Sequence, residues 1–397
     1  MNIRTMKAID HFVGIPVCLL LDLFQHMRAP FRRRVANRPL RRVLVMKYFG
    51  IGSILLASPM LRAIKARYPE ASIGFLTFAG NRDMVERLGL VDEIHTLRTD
   101  SMLHFVYDLV KVLGRIRRAD YDVTIDMEFF SKFSTIVTYL SGSPVRIGYF
   151  LRQIWRGDLL TEQVYYNHYK HITEVFGALA PSLGVTVTDF SLQPPLITRE
   201  ERIAAGTLLA QEGIRPEEML IGINVNASDL SHERRWPKAE FLTLAHGLLN
   251  ELNTRLIFVG SLGEAAYVEE MIAELPRDGR IINLAGKSKL YELIEILRRC
   301  RIFISSDSGP LHLAASLGVA TVSFFGPETP MLYGPKGGDA LVFYEGICCS
   351  PCLNVFNVKT APCSGRNECM QRIEAHAVLD AMRGHFGTVW QQFRRSA

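Results

Sequence analysis

Short apolar runs and segments of helical period alternate along this chain, and they do so twice. Arg42 to Tyr48, continuously apolar from Val43 to Met46, predicts a first buried strand. It stops at a tight glycine loop, Phe49-Gly50-Ile51-Gly52-Ser53, and an amphipathic helix from Ile54 to Tyr68 ends before Pro69. Strand Ser72 to Phe78, helix Arg82 to Leu88, strand Glu93 to Leu97, helix Met102 to Arg117, strand Tyr121 to Met127 and helix Lys132 to Leu140 continue the alternation. Such a pattern predicts a parallel sheet covered on both faces, with functional atoms at its carboxyl edge.

The segment Tyr149 to Asp189 is less regular. It holds a polar aromatic cluster, Tyr165, Tyr166, Asn167, His168, Tyr169 and His171, ahead of a helical run to Leu183. Ser191 to Leu196 contains a Pro pair and reads as an extended linker. The second alternation then begins: strand Leu220 to Val225, helix Lys238 to Leu252, strand Arg255 to Val259, helix Glu264 to Leu275, strand Arg280 to Leu284, helix Lys289 to Cys300. An apolar run to Ile304, the polar cluster Ser305 to Ser308, a helical stretch to Gly318 and a last apolar run ending at Gly326-Pro327 complete it. The tail Ile373 to Arg394 is helical and is expected to cross back to the first domain. The halves repeat in architecture and not in sequence. The expected division is 1–40 as an apolar helix plus basic segment, 41–190 and 201–372 as Rossmann-like domains, 191–200 as linker, and 373–397 as a C-terminal helix.

Composition adds little to this picture except at two places. With 397 residues, 48% of them hydrophobic and 22% charged, the chain can bury two cores and is not a disordered one. The first informative place is the N-terminus. Ile9 to Met27 is nearly continuous apolar, with Phe12, Ile15, Leu19, Leu20, Leu23, Phe24 and Met27 on one helical stripe, interrupted by Pro16 and Asp22. It is shorter than the ~20 apolar residues that span a bilayer, so it reads as an in-plane anchor, or as a helix packed on the protein's own surface. Arg28, Arg32, Arg33, Arg34, Arg38, Arg41 and Arg42 follow with no acidic residue among them, while the whole chain is only +6. A basic run directly behind an apolar helix points to an anionic membrane surface, not to nucleic acid. No small-residue cleavage site follows the apolar region, so a secretory signal is not expected. The expected place is therefore the cytoplasm, peripheral on the inner face of the cytoplasmic membrane.

The second place is a cysteine-rich segment, 348–369. A reducing compartment argues against disulfides there. Cys349 and Cys352 form a CxxC pair, and with Cys363 and Cys369 they make a candidate structural zinc set, although the second pair lacks that spacing.

The stretch Ser305-Ser306-Asp307-Ser308-Gly309-Pro310-Leu311-His312 carries the main candidate chemistry. Ser306, Asp307 or Ser308 can cap a helix that Gly309 and Pro310 open, and a helix start lined by amides and hydroxyls binds anions. An ordinary capped helix is the alternative. Through Leu313-Ala314-Ala315-Ser316-Leu317-Gly318 the stretch resembles the signature of the family nine glycosyltransferases, best known as lipopolysaccharide heptosyltransferases.

The resemblance implies the GT-B architecture, two Rossmann-like α/β domains facing a cleft, and places the diphosphate of a nucleotide sugar on Ser306, Asp307, Ser308 and Gly309. His312 either touches that ligand or supports the loop from beneath. Asn224, Asn226 and Ser228 end a strand and open a polar loop. Arg234 stands where the family has a lysine before Trp-Pro, with Arg235 beside it, so the charge is kept on a planar fork. Gly260 and Glu264 match the nucleoside spacing, with Glu264 as a ribose acceptor or simply as a helix-start acid.

One departure matters for catalysis. The family's glycine loop carries an aspartate as proposed base; here Gly50 and Gly52 are followed by Ser53, which has no useful basicity. Glu128, or secondarily Asp126, ends a strand at the same sheet edge and is the candidate replacement; capping the helix from Phe129 is the alternative.

The resulting expectation is an inverting transferase that needs no cofactor or metal. It moves a sugar from a nucleotide-diphosphate donor to a lipopolysaccharide or other lipid-linked cell-envelope glycan, the acceptor resting on the first domain and the Tyr165 to His171 cluster. Heptose follows from the family alone. A silent nucleotide- or glycan-binding relative at the membrane, and a GT-B-like nucleotide-sugar epimerase, are the rival readings.

Overall fold

The computed structural model describes residues 3–28, 40–227, 231–355, 361, 363 and 366–394. Two compact units divide the chain, Met1–Phe190 and Ser191–Ala397.

The first unit is built on six parallel strands: β1 Arg42–Met46, β2 Ser72–Phe78, β3 Glu93–Leu97, β4 Val123–Asp126, β5 Val145–Phe150 and β6 Glu162–Tyr165. Their order is β3-β2-β1-β4-β5-β6. Its helices are α1 Ile3–Phe12, α2 Gly14–Arg28, α3 Ile51–Leu56, α4 Ser58–Arg67, α5 Arg82–Arg87, α6 Met102–Ala119, α7 Lys132–Leu140 and α8 Ile172–Gly177. Val43 to Met46 are fully buried, as a central strand covered on both faces requires. The strand order reverses between β1 and β4, which makes their carboxyl ends the natural crevice of this sheet. Gly50 lies there at φ +84°, a left-handed turn that lets the chain leave β1 and enter α3 at once. Ser101 and Ser131 cap α6 and α7 by accepting from the amides of His104 and Ser134.

The second unit repeats the plan with β7 Met219–Asn224, β8 Thr254–Phe258, β9 Ile281–Asn283, β10 Cys300–Ser306, β11 Ala320–Phe325 and β12 Ala340–Tyr344, in the order β12-β11-β10-β7-β8-β9. Its helices are α9 Arg199–Gln211, α10 Lys238–Glu251, α11 Ala265–Ile272, α12 Leu290–Arg299, α13 Gly309–Ser316, α14 Pro330–Tyr333, α15 Glu368–Gln371, α16 Ala375–His385 and α17 Gly387–Phe393. Trp236 anchors the core. Its ring stacks on Phe324 with centroids 4.0 Å apart, and its Nε1 donates to the Ile373 carbonyl at 2.9 Å. The switch point lies between β7 and β10.

Four sequence expectations change. Strands β5, β6 and β12 were not foreseen, because β6 and β12 are edge strands with half-exposed faces and β5 carries Arg146 in its middle. The Arg146 guanidinium is buried only because the carbonyls of Leu159 and Ser143 and the side chain of Gln25 accept its protons. The C-terminal helix breaks near Phe386 into α16 and α17, and α16 packs on α10 and β12 of its own unit. Arg383 and Trp390 both bond Glu251 there.

The N-terminal segment is longer than expected. Ala8–Met27 gives 20 residues of mean hydropathy 1.5, enough by length and composition to cross a membrane. Its polar side chains, however, are spent on the protein. Asp10 accepts from Ser131 Oγ and from the amides of Lys132 and Phe133, Asp22 accepts from the Asp158 amide, and Gln25 bonds Arg146 and the Asp158 carbonyl. The side chains of Arg28, Arg32, Arg33, Arg34 and Arg38 lie outside the described residues, as does Ser228.

Candidate functional site

At the carboxyl edge of the second sheet, β7 and β10 deliver their last residues side by side, and the polar ones are knotted together. Asn224 Nδ2 donates to both Ser305 Oγ and Ser308 Oγ at 3.1 Å, and those two hydroxyls lie 2.7 Å apart. Ser308 is the N-cap of α13, its Oγ accepting from the Leu311 amide at 3.4 Å. Ser306 Oγ accepts from the Trp236 amide at 3.1 Å, which ties the Arg234-Arg235-Trp236 segment to the same edge. The serines therefore act first as joints that fix the start of α13, where the first-turn amides have no intrahelical partner.

Arg234 reaches this edge and pairs with Asp307, Nη1 to Oδ2 at 2.8 Å, both side chains largely buried. Burial works against the charge on Arg234, but the Asp307 carboxylate outweighs it and holds the guanidinium above its ordinary value. The expected bare cation is thus a neutralised pair. His312 Nε2 stands 4.0 Å from Asp307 Oδ1. Burial pushes the His312 pKa down, with Arg234 adding to that and Asp307 opposing it, so the imidazole is neutral at neutral pH. Its Nδ1 is buried without a hydrogen-bond partner among the described residues.

Arg235 lays its guanidinium over the Tyr267 ring, 4.7 Å from the ring centre. Asn226 is the more informative neighbour. Its side-chain Nδ2 and Oδ1 are both buried and both lack a partner among the described residues. A Cβ at Gly260 would come within 3.3 Å of Asn226 Nδ2 and 3.5 Å of Glu264 Oε2, so the bare face of Gly260 lies between these two side chains. Glu264 Oε2 already accepts from the Ser261 amide and hydroxyl, at 2.7 and 2.8 Å. That is the cap geometry offered as its alternative, and it engages one carboxylate oxygen, whereas both polar atoms of the Asn226 side chain are unspent among the described residues.

The first sheet's edge is organised by Glu128 instead of the glycine loop. Its Oε1 accepts from Lys47 Nζ at 2.8 Å and from the amides of Tyr48 and Phe49 at 2.7 and 3.3 Å. The side chains of the pair are 4% and 1% exposed, and Oε2 has no partner among the described residues. Ser53 folds back on the loop, its Oγ 3.3 Å from where a Gly50 Cβ would stand.

Asp126 does not share Glu128's direction, although side chains two residues apart on a regular strand would. It faces α7 and Arg156, accepting from Ser134 Oγ at 2.8 Å and Arg156 Nη1 at 3.1 Å, while its Oδ1 takes the Glu128 amide at 3.0 Å. Burial pushes its pKa up to about 6 against the pull of Arg156 and these hydrogen bonds. Neither carboxylate caps a helix from Phe129, since α7 starts at Lys132 on Ser131. Lys47 and Arg156 are the residues that sequence reasoning missed. A lone lysine closing an apolar strand was the available signal for the first; nothing local marked the second.

The aromatic cluster divides. Tyr166 packs on Phe129 at 5.0 Å and Tyr149 at 5.5 Å, whereas Tyr165 and Tyr169 present open rings. In the second unit, Cys349, Cys352, Cys363 and Cys369 are near enough to act on one another electrostatically: burial first, then the other three sulfurs, pushes Cys352 up to about 11. Among the described residues, no three His, Cys, Asp or Glu side chains are arranged to hold a metal ion.

The profile of Glycosyltransferase family 9 (heptosyltransferase) matches residues 109–360. Lipopolysaccharide heptosyltransferase 2 of Escherichia coli strain K12 is 25% identical over 312 residues, covering 76% of this chain and 87% of that protein. A glycosyl transferase family 9 structure from Veillonella parvula DSM 2008 superposes with a TM-score of 0.71 at 22% identity, over 89% of this chain and 97% of the other. The E. coli ADP-heptose lps heptosyltransferase II gives 0.69 at 22% identity, over 88% and 99%. These two likenesses carry the fold alone, GT-B with two parallel six-stranded sheets.

Proposed function

The chain belongs to glycosyltransferase family 9, and from that premise we propose that it transfers heptose from ADP-heptose to a growing lipopolysaccharide core, with inversion at the anomeric carbon. The observation that carries the donor half is the edge of the second sheet, where Asn226 keeps an unspent amide beside Gly260 and Arg234 stands against the start of α13. The nucleoside takes the Asn226 side. The diphosphate takes the α13 amides and competes with Asp307 for Arg234.

In the reaction, an acceptor hydroxyl oxygen forms a bond to the sugar's anomeric carbon as the bond to the β-phosphate oxygen breaks. ADP leaves with the bonding electrons, stabilised by Arg234 and the helix start. The hydroxyl proton passes to the first unit's base, assigned here to Glu128 Oε2, the oxygen not engaged with Lys47 and the loop amides. Acceptor binding belongs to the same unit, with the open rings of Tyr165 and Tyr169 as sugar-stacking surfaces. The enzyme works at the inner face of the cytoplasmic membrane, held by α2 and the arginine run.

Incubation with ADP-heptose and a truncated lipopolysaccharide acceptor, read by mass, should add one heptose. Glu128→Gln should lower kcat about a hundredfold or more while donor binding by thermal shift persists. No product from any nucleotide sugar, together with a normal ADP thermal shift, would favour the one rival that Ser53 keeps open, a silent nucleotide-binding relative.

A further inference from the structure

The helix α2 is set with its polarity reversed. Asp22 and Gln25, with Asp10 of α1, face the protein and are hydrogen-bonded there, while Leu19, Leu20, Leu23 and Met27 face outward, Leu20 66% and Leu23 60% exposed. Gly14 lies so close to α7 that a Cβ would stand 2.8 Å from Lys132 Cβ, which fixes that rotation.

A second helix beside α7 also turns an apolar stripe outward, although its inner face is apolar too. α6 buries Val112 and Ile116 in the core of the first unit, touches α7 through the Phe105 and Phe133 rings at 5.4 Å, and donates from Arg117 Nε to the Leu140 carbonyl at 2.8 Å. Those contacts satisfy its inner face. Outside them remain Leu103, Val106, Tyr107 and Val110, spaced i, i+3, i+4, i+7, with Leu103 83% and Val110 68% exposed. Beyond this stripe the helix carries Lys111, Arg115 and Arg118, exposed. Its one acidic side chain, Asp108, is held by Arg98 in a two-point pair at 2.8 and 2.9 Å.

We propose that α6 is a second membrane-seated element, its Leu103, Val106, Tyr107 and Val110 stripe entering the headgroup boundary of an anionic bilayer alongside α2. The inference rests on the membrane reading of α2 and extends it. Charge decides the occupant. An apolar stripe continued by three basic residues matches an anionic lipid surface, and in the sequence residues 28–42 carry seven arginines and no acid. Two seated helices would also fix the first unit's rotation on the membrane, which one helix cannot do.

The test is co-sedimentation of the full chain with phosphatidylcholine vesicles, with and without about 30% phosphatidylglycerol. Val106→Glu with Val110→Glu should lower partition onto the anionic vesicles about tenfold while thermal midpoint and circular dichroism stay unchanged. Leu20→Glu with Leu23→Glu should lower it at least as far. In a second measurement, Tyr107→Trp should be quenched by lipids brominated on their acyl chains. Loss in the α2 variant with wild-type partition in the α6 variant and no quenching overturns this inference alone. Failure of the unaltered protein to bind either vesicle overturns the membrane reading with it. A self-association in sedimentation velocity that the α6 substitutions abolish, with vesicle binding unchanged, assigns the stripe to a second copy of the chain and also overturns the inference.

Discussion

Asp126 and Glu128 stand two residues apart at one sheet edge, and burial gives them different work. Glu128 shares one oxygen among Lys47 and two amides. Asp126 is raised to about 6, so the folded state holds its proton more tightly than the unfolded chain does. The stability this gives is fully present below the ordinary carboxylate pKa of about 4 and is lost as pH rises through 6, on the order of 3 kcal/mol. Asp126→Asn removes that titration. The thermal midpoint of the unaltered protein should therefore fall relative to Asp126→Asn between about pH 4 and 6.5, and a constant difference across that range would remove Asp126 as the titrating group. At the same scale the sequence identified Glu128 as the base candidate but could not show that one of its oxygens was committed. That depends on Lys47, which lies 81 residues away in sequence and 2.8 Å away in space.

At the scale of elements, the knot of Asn224, Ser305 and Ser308 determines where α13 begins. Asn224→Ala leaves two buried hydroxyls short of a donor, costing about 1 to 3 kcal/mol. It should lower the thermal midpoint and raise the KM for donor, while Ser53→Ala should leave the KM for donor unchanged. Steady-state kinetics on both variants checks the contrast. The cysteine segment makes its own prediction. With Cys352 pushed up to about 11 and half-buried, roughly a hundredfold less of it is thiolate than of an ordinary thiol. Exposed Cys348 and Cys349 should be alkylated first in a timed reaction read by peptide mass, and equal rates would contradict the burial of Cys352. Central elements such as β1, β7 and β10 were legible because strands buried on both faces leave continuous apolar runs. Edge strands β6 and β12 were not, since their half-exposed faces lack that signal.

The whole molecule is two parallel sheets of six strands, each with its own core and its own switch point. Each unit is large enough to unfold as a cooperative body. ADP binds the second unit in the proposed function, so calorimetry with ADP at about a hundred times its dissociation constant should stabilise that unit's transition by roughly 2.7 kcal/mol. The first unit's transition should move less. Equal shifts of both would assign nucleotide contacts to the first unit as well.

The sequence by itself carried the resemblance to the family, the alternating α/β class and the capped helix start at Ser308, because these are written in local runs: apolar strands, glycine loops and a helix start whose residues are adjacent in the chain. It also held the apolar stripe of α2, though not which way that stripe would face. Tertiary structure decided everything that depends on pairing across distance. It joined Arg234 to Asp307, tied one oxygen of Glu264 to its own turn, turned Asp126 from Glu128, and set the polar side of α2 inward. The physical reason is common to all four. A polar side chain settles where its hydrogen bonds are completed, and its partner is chosen by the fold, not by its neighbours in sequence.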